Sequence, residues 1–106
     1  MFDKFDWIAN RYEELSEAIV QPEVIADMAK YQACLKERSQ LEPQVQAWRR
    51  YQRLLAHIAQ AEEMRADPDL AAMAQEELDT LLPEKAALEG ELRILLLPRD
   101  PDDDRS

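Results

Sequence analysis

Glycine is nearly absent: Gly90 is the single one among 106 residues. β-Hairpin turns and phosphate-cradling loops draw on glycine for left-handed or crowded backbone positions, so the chain is poorly supplied for either. Cysteine is as scarce. Cys34 stands alone, which excludes an internal disulfide and makes a cytoplasmic location the expectation. His57 is the only histidine, and together with Cys34 it falls short of the four ligands of a structural zinc site. No apolar run approaches the roughly 18 residues of a membrane-spanning helix. The opening MFDKFDW lacks the charged-then-apolar pattern of a secretion signal. Basic residues are outnumbered, 13 Lys and Arg against 23 Asp and Glu, for a net charge of −10. A chain that bound nucleic acid mainly through phosphates would be repelled over most of this surface. Protein partners, or a basic surface on a large assembly, fit better.

What is abundant points to helices. Ala, Leu, Glu, Gln, Arg and Lys dominate, the residues that lose least on entering one. Phe5, Ile8, Tyr12, Leu15 and Ile19 recur at spacings of three and four, which predicts a first helix over Asp3 to Val20 with Asp3 as its cap. Gln21-Pro22 ends it. Asp27 is a second start signal, and a helical pattern runs from there to Ala66. Cys34, Leu41, Trp48 and Leu55 repeat every seven residues, with Val45, Tyr51 and Ile58 between them. Pro43 lies inside this pattern and removes one backbone hydrogen bond, yet the phase carries across it, so a kinked but continuous helix is expected over a break. Asp67-Pro68-Asp69 marks a boundary: a capping residue, a proline suited to the first turn, and an acid for the positive dipole end. A third helix follows over Pro68 to Leu97, with a seam of Leu78, Leu81, Leu88, Leu92 and Leu95 that Lys85 interrupts. Pro83 falls off that stripe, and Gly90 weakens the helix by about 1 kcal/mol relative to Ala.

At about 1.5 Å per residue the three helices measure roughly 27, 60 and 45 Å, and the tight turn between the last two makes them antiparallel. The expected fold is all-α, an elongated antiparallel helical coiled coil thickened to a three-helix bundle along part of its length. Residues 1–97 form the helical domain. Such an arrangement leaves little concave space for a substrate.

Candidate chemistry is thin, and the expectation is no catalytic residue, no cofactor and no metal. The acid pairs Glu13-Glu14, Glu62-Glu63 and Glu76-Glu77 point about 100° apart on a helix and read as solvated faces. Asp100, Asp102 and Asp104 alternate like part of a calcium loop but lack its central Gly and closing Glu. The segment Trp48-Arg49-Arg50-Tyr51-Gln52-Arg53 is the one basic cluster interleaved with aromatics, a mixture that binds RNA. Trp48 and Tyr51 lie on the seam, so the leading reading is structural, the arginines pairing with acids of neighbouring helices. Arg49, Arg50 and Arg53 are the candidate contacts if the segment touches RNA.

The chain closes on LLLPRDPDDDRS. Leu95, Leu96 and Leu97 finish a helix, Pro98 stops it, and the acidic stretch has the composition of an interdomain linker. Residues 98–106 are therefore expected to open a linker to domains that are absent here, with Leu96 and Leu97 packing on one of them. Leu-Leu-Leu-Pro-Arg-Asp-Pro-Asp-Asp, positions 95 to 103, resembles the junction closing the N-terminal domain in the bacterial peptide chain release factor 1 family. Pro22-Glu23-Val24-Ile25, Leu41-Glu42-Pro43, Asp67-Pro68 and Met73-Ala74-Gln75-Glu76-Glu77-Leu78 are similar in order and spacing. Arg99 stands where Lys is usual, and the junction favours the factor reading UAA and UAG over its sister. The resemblance implies a parent that enters the ribosome at a stop codon and triggers hydrolysis of peptidyl-tRNA. It implies that a tripeptide and a Gly-Gly-Gln loop in other domains carry codon reading and hydrolysis, and a single glycine cannot supply that loop. For the N-terminal domain it implies a peripheral position near the stalk base of the large subunit and a link to the release-factor GTPase. An incompletely covered hairpin also makes self-association of the isolated chain an expectation. Composition alone permits a different reading, a free-standing coiled-coil adaptor or scaffold.

Overall fold

The computed structural model describes residues 2–97. All regular structure among them is helical: α1 (Asp3–Ala18), α2 (Pro22–Ala26), α3 (Met28–Arg65) and α4 (Ala71–Leu95). Contacts gather the chain into two compact units that divide between Arg49 and Arg50, within α3.

In the first unit α1 buries Phe5, Ile8, Tyr12 and Leu15, the stripe its spacing predicts, while Ile19 beyond its end is half-buried. Phe5 stacks on the half-buried Trp48 with ring centroids 5.3 Å apart and planes 9° from parallel, and Phe2 meets both rings edge-on. Asp3 is not the cap. Phe2 occupies that position without a side-chain bond, and Asp3 and Asp6 lie in the first turn, where carboxylates favour the positive end of the dipole. The helix stops at Ala18 rather than Val20. α2 is an addition to the sequence expectation: Gln21-Pro22 reads as a stop, yet Pro22 also starts this five-residue helix, because a proline at the first position gives up an N–H that would have no partner anyway. Val24 of α2 is buried. Asp27 does cap α3, its Oδ1 accepting from the backbone N–H of Lys30 at 3.2 Å. Helix α3 then runs unbroken through Pro43. That proline is exposed, so its ring points away from the packing and only one backbone bond is lost.

In the second unit the rest of α3 packs against α4. Leu54, Ile58, Ala61 and Leu78 form a buried cluster, with Leu81 and Leu88 against it, and Ala74 and Leu92 are fully buried. Leu55 is corrected. It is 37% exposed, and Leu54 takes its place inside at 8%. Seven residues on from Leu54, Ala61 is buried as well, and in the first unit Ala47 is too, each alanine only 1% exposed. A seam judged by large side chains passes over alanines. Helix α4 begins at Ala71 rather than Pro68. Asp67 caps a turn instead: its Oδ1 accepts from Asp69 N–H at 3.0 Å and its carbonyl from Leu70 N–H at 3.0 Å, with Pro68 at the position prolines favour. Pro83 is exposed, off the seam as expected, and Lys85 is half-buried. The helix ends at Leu95 rather than Leu97. Asp100, Asp102, Asp104 and the rest of the 98–106 segment lie outside the described residues.

Gly90 sits inside α4 without a positive φ, and a Cβ built on it meets nothing within 4 Å. Its conformational freedom is therefore a cost to the helix with no packing reason behind it. Gly90→Ala should raise unfolding stability by about 1 kcal/mol, read as a higher urea midpoint with unchanged slope.

Candidate functional site

The basic segment of α3 is divided between the two units. In the first, Arg49 Nη2 donates to Glu13 Oε1 at 2.6 Å, and its guanidinium carbon lies 5.7 Å from the centroid of the Tyr12 ring. Arg38 sits closer over the same ring, at 4.6 Å, and its Nε donates to Ser16 Oγ at 2.9 Å. One buried phenol ring of α1 thus faces two cations of α3. Nearby, Arg11 forks onto Glu37, Nε to Oε2 at 2.6 Å and Nη2 to Oε1 at 2.9 Å. That hydrogen bond holds the Glu37 carboxyl below its ordinary value and the Arg11 guanidinium above its own. Both side chains are more than a third exposed, so solvent screening leaves the pair a geometric tie more than an energetic one.

In the second unit, Arg50 Nη2 donates to Glu91 Oε1 at 2.9 Å. The Tyr51 hydroxyl donates to Glu89 Oε2 at 2.7 Å. Burial first, then the Glu89 carboxylate, pushes the Tyr51 phenol up to about 12, against a smaller opposing pull from Arg93. Beside these pairs a groove of about 410 Å³ runs between α3 and α4. Leu54 and Leu88 line its floor, Arg50, Arg53 and His57 one wall, Glu84 and Glu91 the other. A second groove of about 500 Å³ shares His57 and ends on Met64 and Met73. Arg53 has no hydrogen bond or ion pair among the described residues.

The three candidate arginines fall on both sides of the boundary between the units. Arg50 and Arg53 share a groove, while Arg49 is tied to Glu13 in the other unit. Two pair with acids of neighbouring helices, as the structural reading expects, and Arg53 does not. Trp48 and Tyr51 are committed to packing rather than offered as open stacking platforms. Cys34 is half-buried and His57 exposed. Among the described residues no group of three or more His, Cys, Asp or Glu side chains is placed to hold a metal ion, and no helix is long and apolar enough to cross a membrane.

A family model described as the PCRF domain matches residues 8–106. The chain belongs to the PCRF domain family. This PCRF domain is 42% identical over 106 residues to the Peptide chain release factor 1 of Leuconostoc citreum. It is 43% identical over 109 residues to that of Levilactobacillus brevis and 42% identical over 106 residues to that of Geobacter metallireducens. Each alignment takes in 100% of this chain and 30% of the relative, so the chain spans about a third of the length of the proteins it matches. No solved structure matches it. The features of the PCRF domain that sequence reasoning missed are the Arg11–Glu37 fork, the Tyr51–Glu89 bond and the two-walled groove. All three join residues 26 or more positions apart, and periodicity along one helix carries no signal for such pairings.

Proposed function

We propose that this PCRF domain is the helical N-terminal domain of a peptide chain release factor directing translation termination at UAA and UAG codons. Residues 1–97 form the domain and 98–106 begin an interdomain linker. Codon reading and peptidyl-tRNA hydrolysis belong to other domains, and this one has no catalytic residue. Its role is mechanical: a helical body that contacts the ribosome near the stalk base of the large subunit and the release-factor GTPase, and so helps place the catalytic domain. A cytoplasmic location goes with that role. The observation that carries the reading is the alignment of the full chain, at 42% identity, with 30% of a protein named Peptide chain release factor 1.

The test is a graft. This chain replaces the matching segment of the Leuconostoc citreum factor, and peptide release at UAA and UAG is measured on programmed ribosomes. Release by the graft, and none by the isolated chain, is the expected result. Hydrolysis by the isolated chain, or a folded graft that neither binds nor releases, would overturn the reading. Arg49, Arg50 and Arg53 are proposed as ribosomal RNA contacts. Reversing all three to Glu in the graft should weaken ribosome binding by roughly tenfold or more and flatten its salt dependence by about one unit of log–log slope per lost phosphate contact. Unchanged binding would make them structural.

A further inference from the structure

We propose that the turn end of the α3/α4 pair is a docking surface for a basic amphipathic helix of a protein partner. The groove of about 500 Å³ there is lined by His57, Gln60 and Met64 of α3 and by Met73 and Glu77 of α4. Met73 is 53% exposed and Met64 is half-buried, so the groove offers thioether side chains to solvent rather than to the core. Methionine suits a surface that must shape itself to a partner, because its unbranched, polarisable side chain repacks at little cost.

Charge decides what covers it. Residues 62–79 hold seven acids and one base, Arg65. All seven acids are exposed, and none takes part in an ion pair among the described residues. Arg65 donates to Gln75 Oε1 at 3.4 Å. Glu77 lines the groove itself, and each of the seven lies within six residues of Met64 or Met73. A rim of uncompensated acids repels phosphate and so turns RNA away. It repels the same rim of a second copy for the same reason. A helix rich in lysine or arginine brings the complementary charge. Its apolar stripe, at spacings of three and four, fills the strip between the methionines, which is the helix-in-groove mode of recognition. The groove follows α3 from His57 to Met64, about 10 Å or two turns, which seats one anchor from each of two successive turns of such a helix. Met64 lies 11 residues beyond Arg53, about 16 Å along α3, so the arginines proposed for RNA stay open when the turn end is occupied. The groove and its acidic rim carry this assignment whether or not the parent is a release factor.

The probe is a fluorescein-labelled peptide of about 18 residues, lysine and leucine only, with leucines at helical spacing. Titration with the 106-residue chain is followed by anisotropy at about 0.15 M salt, where screening falls to about 8 Å. The peptide should bind at least about tenfold more tightly than one of the same composition with its leucines out of phase. Met73→Gln removes an apolar anchor, and Glu76→Gln with Glu77→Gln removes two charges; each should weaken binding at least about fivefold. Glu17→Gln with Glu23→Gln makes the same change in net charge within the first unit and should leave binding within about twofold. All these side chains are exposed and Gln is a comparable helix former, so the fold is kept, as unchanged far-UV circular dichroism checks. Equal binding of the out-of-phase peptide, no loss in Met73→Gln, or an equal loss in the Glu17 and Glu23 variant would mean that net charge alone draws the peptide, and each overturns the proposal. A dimer in sedimentation equilibrium that Met73→Gln dissolves would give the face to a second copy. Binding of a short single-stranded RNA that Met73→Gln weakens would give it to RNA. Either result also overturns the proposal.

Discussion

Replacing Phe5 with Ala should remove about 3–5 kcal/mol of stability, the range for truncating a fully buried aromatic. Phe5 is 0% exposed, and its ring lies nearly parallel to that of Trp48. Losing the ring deletes its transfer free energy, opens a cavity against the indole, and forfeits a stacking contribution of about 0.5–1.5 kcal/mol. A domain of this size has only about 5–15 kcal/mol in total, so the variant loses a large share of it. Urea unfolding followed by near-UV circular dichroism, where the ordered indole of Trp48 contributes, would measure the loss. Two controls separate the causes. Phe5→Leu keeps most of the volume and should recover much of the stability without the stack. Trp7→Ala, at a side chain 64% exposed, should change it by less than about 0.5 kcal/mol. A cost below about 1 kcal/mol for Phe5→Ala would mean that the α1 stripe is not the anchor of the first unit.

Raising the pH through the alkaline range should unfold the second unit from the position of Tyr51. Its phenol is neutral when protonated, and folding lifts its value from an ordinary 10 to about 12. The unfolded chain therefore releases this proton first. The stabilisation is fully present below pH 10 and is lost as the pH rises from 10 to 12. In full that difference corresponds to roughly 3 kcal/mol, and solvent screening at the hydroxyl keeps the contribution below it. Absorbance at about 295 nm should show one of the three tyrosines ionising near pH 12, and denaturant midpoints at about pH 8, 10 and 12 should fall over the last interval. Tyr51→Phe removes both signals. It also withdraws the hydroxyl from Glu89, at a cost of about 1.5–3 kcal/mol at neutral pH for a hydrogen bond to a charged acceptor. If Tyr51→Phe loses stability over this alkaline interval as steeply as the parent, other groups carry the transition.

Much of the helical plan is visible in the order of residues. The stripe Phe5, Ile8, Tyr12 and Leu15, the cap at Asp27 and the passage of α3 through Pro43 all follow from periodicity and from what a proline can and cannot do. The misses share a cause. Asp3, Pro68 and Leu55 are each placed correctly to within three residues and given the wrong role, because a cap or a seam position is decided by what stands opposite it. The candidate site was less legible. The acidic partners of Arg49 and Arg50 are Glu13 and Glu91, 36 and 41 positions away, and Arg53 differs from them only in what the neighbouring helix sets before it.

The sequence by itself determined that the chain is all-α, where its helices change direction, and the family to which it belongs, since these rest on local propensity, on breakers and on a pattern of residues that needs no third dimension. Only the tertiary structure decided that two small alanines of α3 are buried, that the Tyr51 hydroxyl is held by Glu89, and that one arginine of three has no ion pair among the described residues. Those outcomes depend on side chains brought together from distant parts of the chain, and a one-dimensional pattern holds no record of which face of one helix meets which face of another.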